Sequence, residues 1–428
     1  MDRWLRDGRL ADGRRVDIGI EAGRIAAIEP AGTAAGPEAI DCGGHTVLPG
    51  AIDVHVHCRE PGHPQKADVA ETARAAAAGG VTTIVDQPNT DPPTVTAARV
   101  AQKRRLAADA VIDVRIAGGV TPAWEPASLL ASDIIALGEV FLADSTGELG
   151  IDAALFETAV AAASDAGIPV TVHAEDATRF APDALAGAAG AGRAADAARW
   201  GRARPATAED AAVDAALAVA ARHDAQLHIA HCASPAAVDA VAATDATCEV
   251  TPHHLFLSHD DGPRLGTYGR MNPALRPAAD TAALFERLVD GRIDMVASDH
   301  APHTRAEKAT ALTTAPSGVP GVETLLPLLL GQVTAGAIDL ERVVAVTATA
   351  PAARFGLTDR GRIAVGARAD LVVVDLASVA PIDPRMLHAR CGWSPFGGHP
   401  GVFPELTLAA GALVYRRRDD ARRSGGVV

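Results

Sequence analysis

The 428-residue chain predicts an α/β fold: a (β/α)8 TIM barrel with a small β-sandwich-like domain built from both termini. Three observations predict it. The middle of the chain alternates apolar strand-like runs with Ala-rich helical runs eight times, as parallel strands followed by helices do. Both ends show period-two alternation broken by Gly, a mark of short strands. The length suits a barrel of roughly 250–300 residues plus one smaller unit.

Taken in order, residues 15–20, 23–28 and 46–50 read as strands of the small domain. The barrel then spans 51–356, with strands at 51–57, 81–87, 112–118, 134–142, 168–173, 226–231, 247–251 and 294–299. Helical stretches fall between them at 68–78, 152–166, 208–221 and 281–289. The Ala- and Gly-rich insert 176–206 reads as a long loop after the fifth strand. Residues 357–428 return to the β texture at 361–363, 369–375 and 406–415, completing the domain begun by 1–50. The tail after Arg416 is charged, then Gly-rich, and predicts disorder.

Composition narrows the function. Hydrophobic residues make up 48% and aromatics only 3%, so Ala, Val and Leu fill the core. A net charge of −14 disfavours nucleic acid and anionic lipid as partners. Lys66, Lys103 and Lys308 are the only lysines, which fits either salt adaptation or nucleotide bias. Five cysteines without CxxC spacing read as a reduced, cytoplasmic set. No apolar run reaches 18 residues, so no membrane span is expected.

Barrel enzymes react at the C-terminal ends of their strands. Those ends carry His55 and His57 (first), Glu139 (fourth), His173 (fifth), His231 (sixth) and Asp299 (eighth). A single His at a strand end is usually structural; this many together point to a divalent metal. His55 and His57 stand two apart on a strand, so both rings share a face, and neutral imidazoles suit zinc. Manganese and cobalt remain open.

Two stretches are more specific. Asp53-Val54-His55-Val56-His57-Cys58-Arg59-Glu60-Pro61-Gly62 and Ser298-Asp299-His300-Ala301-Pro302-His303 with Lys308 resemble the two signatures of class I dihydroorotases, in the amidohydrolase superfamily. Asp86-Gln87-Pro88-Asn89-Thr90, Leu227-His228-Ile229-Ala230-His231, Pro252-His253-His254 and Met271-Asn272-Pro273-Ala274-Leu275-Arg276 fall between them in the family's order. The resemblance implies a reversible cyclisation of N-carbamoyl-L-aspartate to L-dihydroorotate in pyrimidine (UMP) synthesis. It implies two zinc ions per subunit, one held by His55, His57 and Asp299, the other by His173 and His231. It makes His228, His253 and His254 supporting residues. A homodimer and assembly beside a carbamoyltransferase are both compatible with it.

The chain departs from many relatives at the fourth strand, where they carry a carboxylated lysine as the bridge between metals. No lysine lies between Lys103 and Lys308. Glu139 occupies the matching position and is shorter; Asp144 is the fallback bridge. Asp299 is the expected catalytic proton shuttle.

The substrate's carboxylate needs a partner once it leaves water. Arg59, two residues after His57, should share its face and offer a bidentate fork. The resemblance adds His57, Asn89, Asn272 and His303 to the substrate pocket, and the loop Pro316-Ser317-Gly318-Val319 should add backbone contacts at Ser317 and Gly318. Dihydropyrimidinases and hydantoinases share the metal ligands but bind rings lacking that carboxylate. Allantoinases come closer, and only the combination of Arg59, Asn89 and Asn272 speaks against them. A non-catalytic dihydroorotase-like subunit would be expected to have lost ligands, and here every ligand position is filled. Residues 304–316 are a candidate closing loop.

Overall fold

The computed structural model describes residues 1–34, 38–145, 149–186 and 196–417. Eight parallel strands form one sheet in sequence order: Ala51–Val56, Val81–Asp86, Asp113–Gly118, Ala136–Phe141, Val170–His173, Leu227–Ile229, Thr247–Val250 and Met295–Val296. Each lies within an expected run. The ring closes where Val56 bridges His300 in parallel and the His57 N–H donates to the His300 carbonyl at 2.8 Å. Buried Asp53 reinforces the closure by accepting the Ser298 N–H at 2.9 Å.

The helices form where side chains cap them and small residues let them sit close to the strands. Asp68 caps Val69–Ala78 through the Glu71 N–H, and Asp152 caps Ala153–Ala166 through the Leu155 N–H. The first helix buries Ala73 and Ala75 through Ala78. With so few aromatics in the chain, close approach by alanine replaces bulk as the means of filling space. Among the described residues no helix is long and apolar enough to cross a membrane.

The termini join in a second sheet. Its strands run Ala412–Arg416, Leu406–Ala409, Leu371–Val374, Thr46–Pro49, Arg3–Arg9, Arg15–Glu21 and Arg24–Pro30, with Ala39–Asp41 pairing Arg3–Arg9. The sheet curls on itself: a Cβ on Gly23 would lie 3.0 Å from the carbonyl oxygen of Ala410. Leu5, Ile18, Ile20, Ile25, Val47, Leu371, Val373 and Leu408 fill the inside. Residues between the last strands leave this sheet, and Ile382, Trp393 and Phe396 pack with Met271, Val319 and Leu328 of the barrel.

Three expectations need correction. Residues 361–363 form no strand; Ile363 packs against the small core from a turn. Arg3–Arg9 is a strand that period-two reading overlooked, because Arg and Asp interrupt its apolar face. The 176–206 insert is not a bare loop: it contains short helices at Ala177–Arg179 and Pro182–Leu185 and an α-helix at Asp196–Ala203. Trp200 anchors that helix, its indole N–H donating to the Met271 carbonyl at 3.0 Å. The predicted disorder of the tail falls on 418–428, outside the described residues.

Candidate active site

The barrel mouth gathers all six strand-end residues that the sequence singles out. His55 and His57 face the same way, their ring centroids 5.2 Å apart. His173 and His231 face each other across 3.0 Å, Nδ1 to Nε2. Glu139 stands between the two pairs. Its Oε1 is 2.7 Å from His231 Nε2 and 3.0 Å from His173 Nδ1; its Oε2 is 3.3 Å from His55 Nε2. Asp299 Oδ1 closes the first pair at 3.0 Å from His57 Nε2 and 3.7 Å from His55 Nε2. Asp144 lies outside this cluster; its side chain accepts the Gly150 N–H.

The donor set fits divalent cations. The ligand atoms of His55, His57 and Asp299 lie within 4.8 Å of one another, as do those of His55, Glu139 and His231. The outer nitrogens of three rings are held as metal ligands usually are: His55 Nδ1 at 2.5 Å from Glu249, His57 Nδ1 at 2.6 Å from Asn89 Oδ1, and His173 Nε2 at 2.7 Å from Glu175. Among the described residues His231 Nδ1 is buried without a partner. Burial alone would raise the pKa of Glu139 and Asp299. The hydrogen bonds and positive charge of the surrounding histidines outweigh burial and hold both carboxyls well below their ordinary range.

Backbone strain concentrates here. His231, Asp299 and Arg59 have φ of 37°, 43° and 61°, in the left-handed region that side chains rarely adopt. For Arg59 this changes the expected route. The strand ends at Val56, and a left-handed turn brings Arg59 to the cavity, not strand alternation.

A small polar cavity adjoins the cluster. Arg59, Asn89, Asn272, Ser317 and Gly318 line it, together with His57, Glu139, His231 and Asp299. The Arg59 guanidinium is buried and, among the described residues, is within ion-pair distance of no carboxylate; its Nε donates to the Pro302 carbonyl at 3.3 Å. Burial lowers its pKa to about 10, so it stays charged at neutral pH. The Ser317 hydroxyl is buried and has no partner among the described residues. Asn272 donates its amide to Ser145 Oγ at 3.0 Å. His303 stands behind Arg59, its Nε2 3.2 Å from Arg59 Nη2 and 2.9 Å from the Ser317 carbonyl oxygen.

Several functional neighbours escaped sequence reading. Glu249, on the seventh strand, touches both His55 and His228 (3.2 Å). Its signal was an acid between Cys248 and Val250 in a short strand where all three are buried. Glu175, two residues after His173, pairs with buried Arg204 from the insert. Phe141 and Ser145 line the cavity with no motif to mark them, and Ala301 does so from within the second signature stretch. His228 and His254 are supporting residues in this structure, bonded to Thr247 and Glu249, and to Thr251 and the Pro273 carbonyl.

Comparison with known proteins fits this geometry. The Amidohydrolase family matches residues 46–396. The chain is 54% identical to the dihydroorotase of Halobacterium salinarum over 96% of each protein. It is 41% identical to that of Methanosarcina acetivorans, over 94% of this chain and 89% of that protein. Among solved structures, the L-hydantoinase (dihydropyrimidinase) of Arthrobacter aurescens superposes with a TM-score of 0.90 at 28% identity, over 100% of this chain and 97% of that one. The dihydropyrimidinase of Brevibacillus agri superposes at 0.87 with 28% identity, over 97% and 95%. The chain therefore belongs to the amidohydrolase family and, within it, to the dihydroorotases.

Proposed function

We propose that the chain interconverts L-dihydroorotate and N-carbamoyl-L-aspartate as a zinc-dependent cyclic amidohydrolase of pyrimidine synthesis. The observation that carries this reading is Arg59: a buried guanidinium on the cavity wall with no carboxylate partner among the described residues. Such a charge is costly unless a ligand anion pairs with it. The carboxylate of dihydroorotate does so; hydantoin and dihydrouracil rings have none to offer.

Two zinc ions would be held by His55, His57 and Asp299 on one side and His173 and His231 on the other. Glu139, whose Oε1 faces His173 and His231 and whose Oε2 faces His55, would be the ligand shared between them. Glu139 stands at the position where a carboxylated lysine would serve, and Lys66, Lys103 and Lys308 are engaged with Glu307, Asp86 and backbone carbonyls. When bound, the metal lowers the pKa of water and polarises the scissile carbonyl.

The protein's own groups do the rest. Arg59 grips the substrate carboxylate in a fork. Asn89 Oδ1 accepts from His57 Nδ1–H, which leaves the Asn89 NH2 group to donate to the ligand. The Ser317 hydroxyl offers another donor, and His303 fixes Arg59 from behind. Asp299 takes the proton of the attacking water and delivers it to the departing ring nitrogen in hydrolysis. In cyclisation it takes the carbamoyl N–H proton and returns it to the leaving oxygen.

The hydantoinase structures favour a second reading, hydantoin or dihydropyrimidine hydrolysis. Their 28% identity reports shared architecture, whereas identities of 54% and 41% are found with dihydroorotases. The complete ligand set argues against a non-catalytic subunit. We further propose a cytoplasmic enzyme, a reading supported by five unpaired, buried cysteines, and hold a homodimer or association with a carbamoyltransferase compatible with it.

The test is ultraviolet absorbance of zinc-loaded protein with L-dihydroorotate, hydantoin, dihydrouracil and allantoin in parallel. Turnover of dihydroorotate alone or foremost is expected. Preferred turnover of any other ring overturns the assignment.

A further inference from the structure

Lys308 closes the second signature stretch, yet it belongs to neither the ligand cluster nor the cavity wall. Its side chain is fully buried, and among the described residues it pairs with no carboxylate. Instead Nζ donates to three backbone carbonyls: Arg270 at 2.9 Å, Pro316 at 2.9 Å and Gly318 at 3.1 Å. Burial and the nearby Arg270 and Arg59 charges pull its pKa well below the ordinary lysine range; against that, the three carbonyls around Nζ match the three N–H bonds of an ammonium and leave a neutral amine one donor short.

Those carbonyls belong to two separate loops. One, at 270–272, ends in Asn272; the other, at 316–318, carries Ser317 and Gly318, and all three residues line the cavity. The loops share a further bond, because the Arg270 carbonyl also accepts the Gly318 N–H at 3.1 Å. Thr267 anchors the lysine's own backbone, its hydroxyl donating to the Lys308 carbonyl at 2.5 Å.

The 316–318 loop needs such a fastening. Gly318 has φ +124°, and a Cβ there would meet Ala301 O at 2.7 Å and His303 Nε2 at 3.3 Å. Its backbone is therefore pressed against the residues after the eighth strand in a conformation open mainly to glycine. Glycine supplies no side-chain packing, and carbonyls turned inward cost free energy if unpaired. A buried ammonium satisfies them at one point.

We propose that Lys308 is a positioning residue: an ammonium clamp that ties the 316–318 loop to the 270–272 loop and so sets the spacing of the groups that receive the substrate. For its substrate the inference rests on the dihydroorotase reading; the clamp itself does not.

The experiment compares zinc-loaded wild type with Lys308→Met and Lys308→Gln. It measures KM and kcat for L-dihydroorotate, zinc per chain, and hydrogen exchange of a peptide spanning 313–322. In Lys308→Met, KM rises by at least ~10-fold while kcat changes by less than ~3-fold, the signature of lost substrate binding. Zinc content is unchanged, and exchange accelerates in 313–322 but not in the barrel strands. Lys308→Gln, which can still donate to two carbonyls, falls between.

Unchanged KM and loop exchange in Lys308→Gln and Lys308→Met overturn the proposal. So does a parallel fall of kcat and zinc content with KM unmoved. If Lys308→Met does not fold, Lys308→Gln carries the test. If wild type fails to turn over dihydroorotate, the substrate reading falls, while loop exchange still decides the clamp.

Discussion

Glu249 Oε1 lies 2.5 Å from Nδ1 of His55, both fully buried, and this contact turns the opposite ring nitrogen of His55 toward Glu139 and Asp299. The seventh strand thus shapes the centre without contributing a ligand. Replacing Glu249 by Gln keeps the shape but removes the anion that orients the ring. Zinc affinity should fall by about 10–100-fold, the usual effect of losing such a partner. Competition with a chromogenic chelator checks this; unchanged affinity would show that His55 is oriented by other contacts.

Glu139 faces both histidine pairs, and its loss should uncouple them. Glu139→Ala is expected to retain fewer zinc ions per chain than wild type and to lose turnover. Elemental analysis of purified protein decides the point. Equal zinc in the two proteins would remove Glu139 from the bridging role.

Asp299 serves as ligand and shuttle in this account, and Asp299→Asn separates the roles in part. The amide oxygen still faces His57, but the side chain no longer accepts a proton. Zinc should be kept while kcat falls by about 10²–10⁴-fold, the range general acid–base groups contribute. Turnover near the wild-type rate would assign the proton transfer to another group.

A prediction away from the site concerns acid stability. Asp17 is buried and accepts backbone N–H bonds from Asp7, Gly32, Thr33 and Ala34 at 2.8–3.1 Å. Burial would raise its pKa, but the four donors outweigh it and hold the carboxyl below the ordinary range. With a depressed folded pKa, its contribution is fully present above the unfolded value of about 4 and is lost as pH falls through the folded value. Asp17→Asn should cost about 1–3 kcal/mol at neutral pH. The gap to wild type should shrink at the acid end. Thermal melts at pH 7 and pH 3 measure it, and a gap independent of pH would contradict the charge-based account.

Much of this molecule was legible in its sequence because two periodicities are strict. Strand runs such as 51–57 and 134–142 are followed by Ala-rich helices, Val69–Ala78 and Ala153–Ala166, so their places follow from local pattern. The metal-facing residues were legible because polar side chains at the ends of apolar strands have no packing reason to be there. What local pattern does not encode is which outer partner each ring finds. Glu249 meets His55 across 194 positions of chain, and Arg204 reaches Glu175 from the insert. Arg59 was foreseen at the cavity by strand alternation but arrives by a left-handed turn, a backbone choice that tertiary contacts impose.

The claim on which the account rests is that Arg59, beside the metal-ligand cluster, selects a ring bearing a carboxylate. The ratio of kcat/KM for L-dihydroorotate to that for dihydrouracil, measured in wild type and in Arg59→Ala, tests it directly. A wild-type ratio of at least about 10² is expected, with a fall toward unity in the variant, mainly through a higher KM for dihydroorotate. A ratio near one in wild type, or one that Arg59→Ala leaves intact, would contradict it.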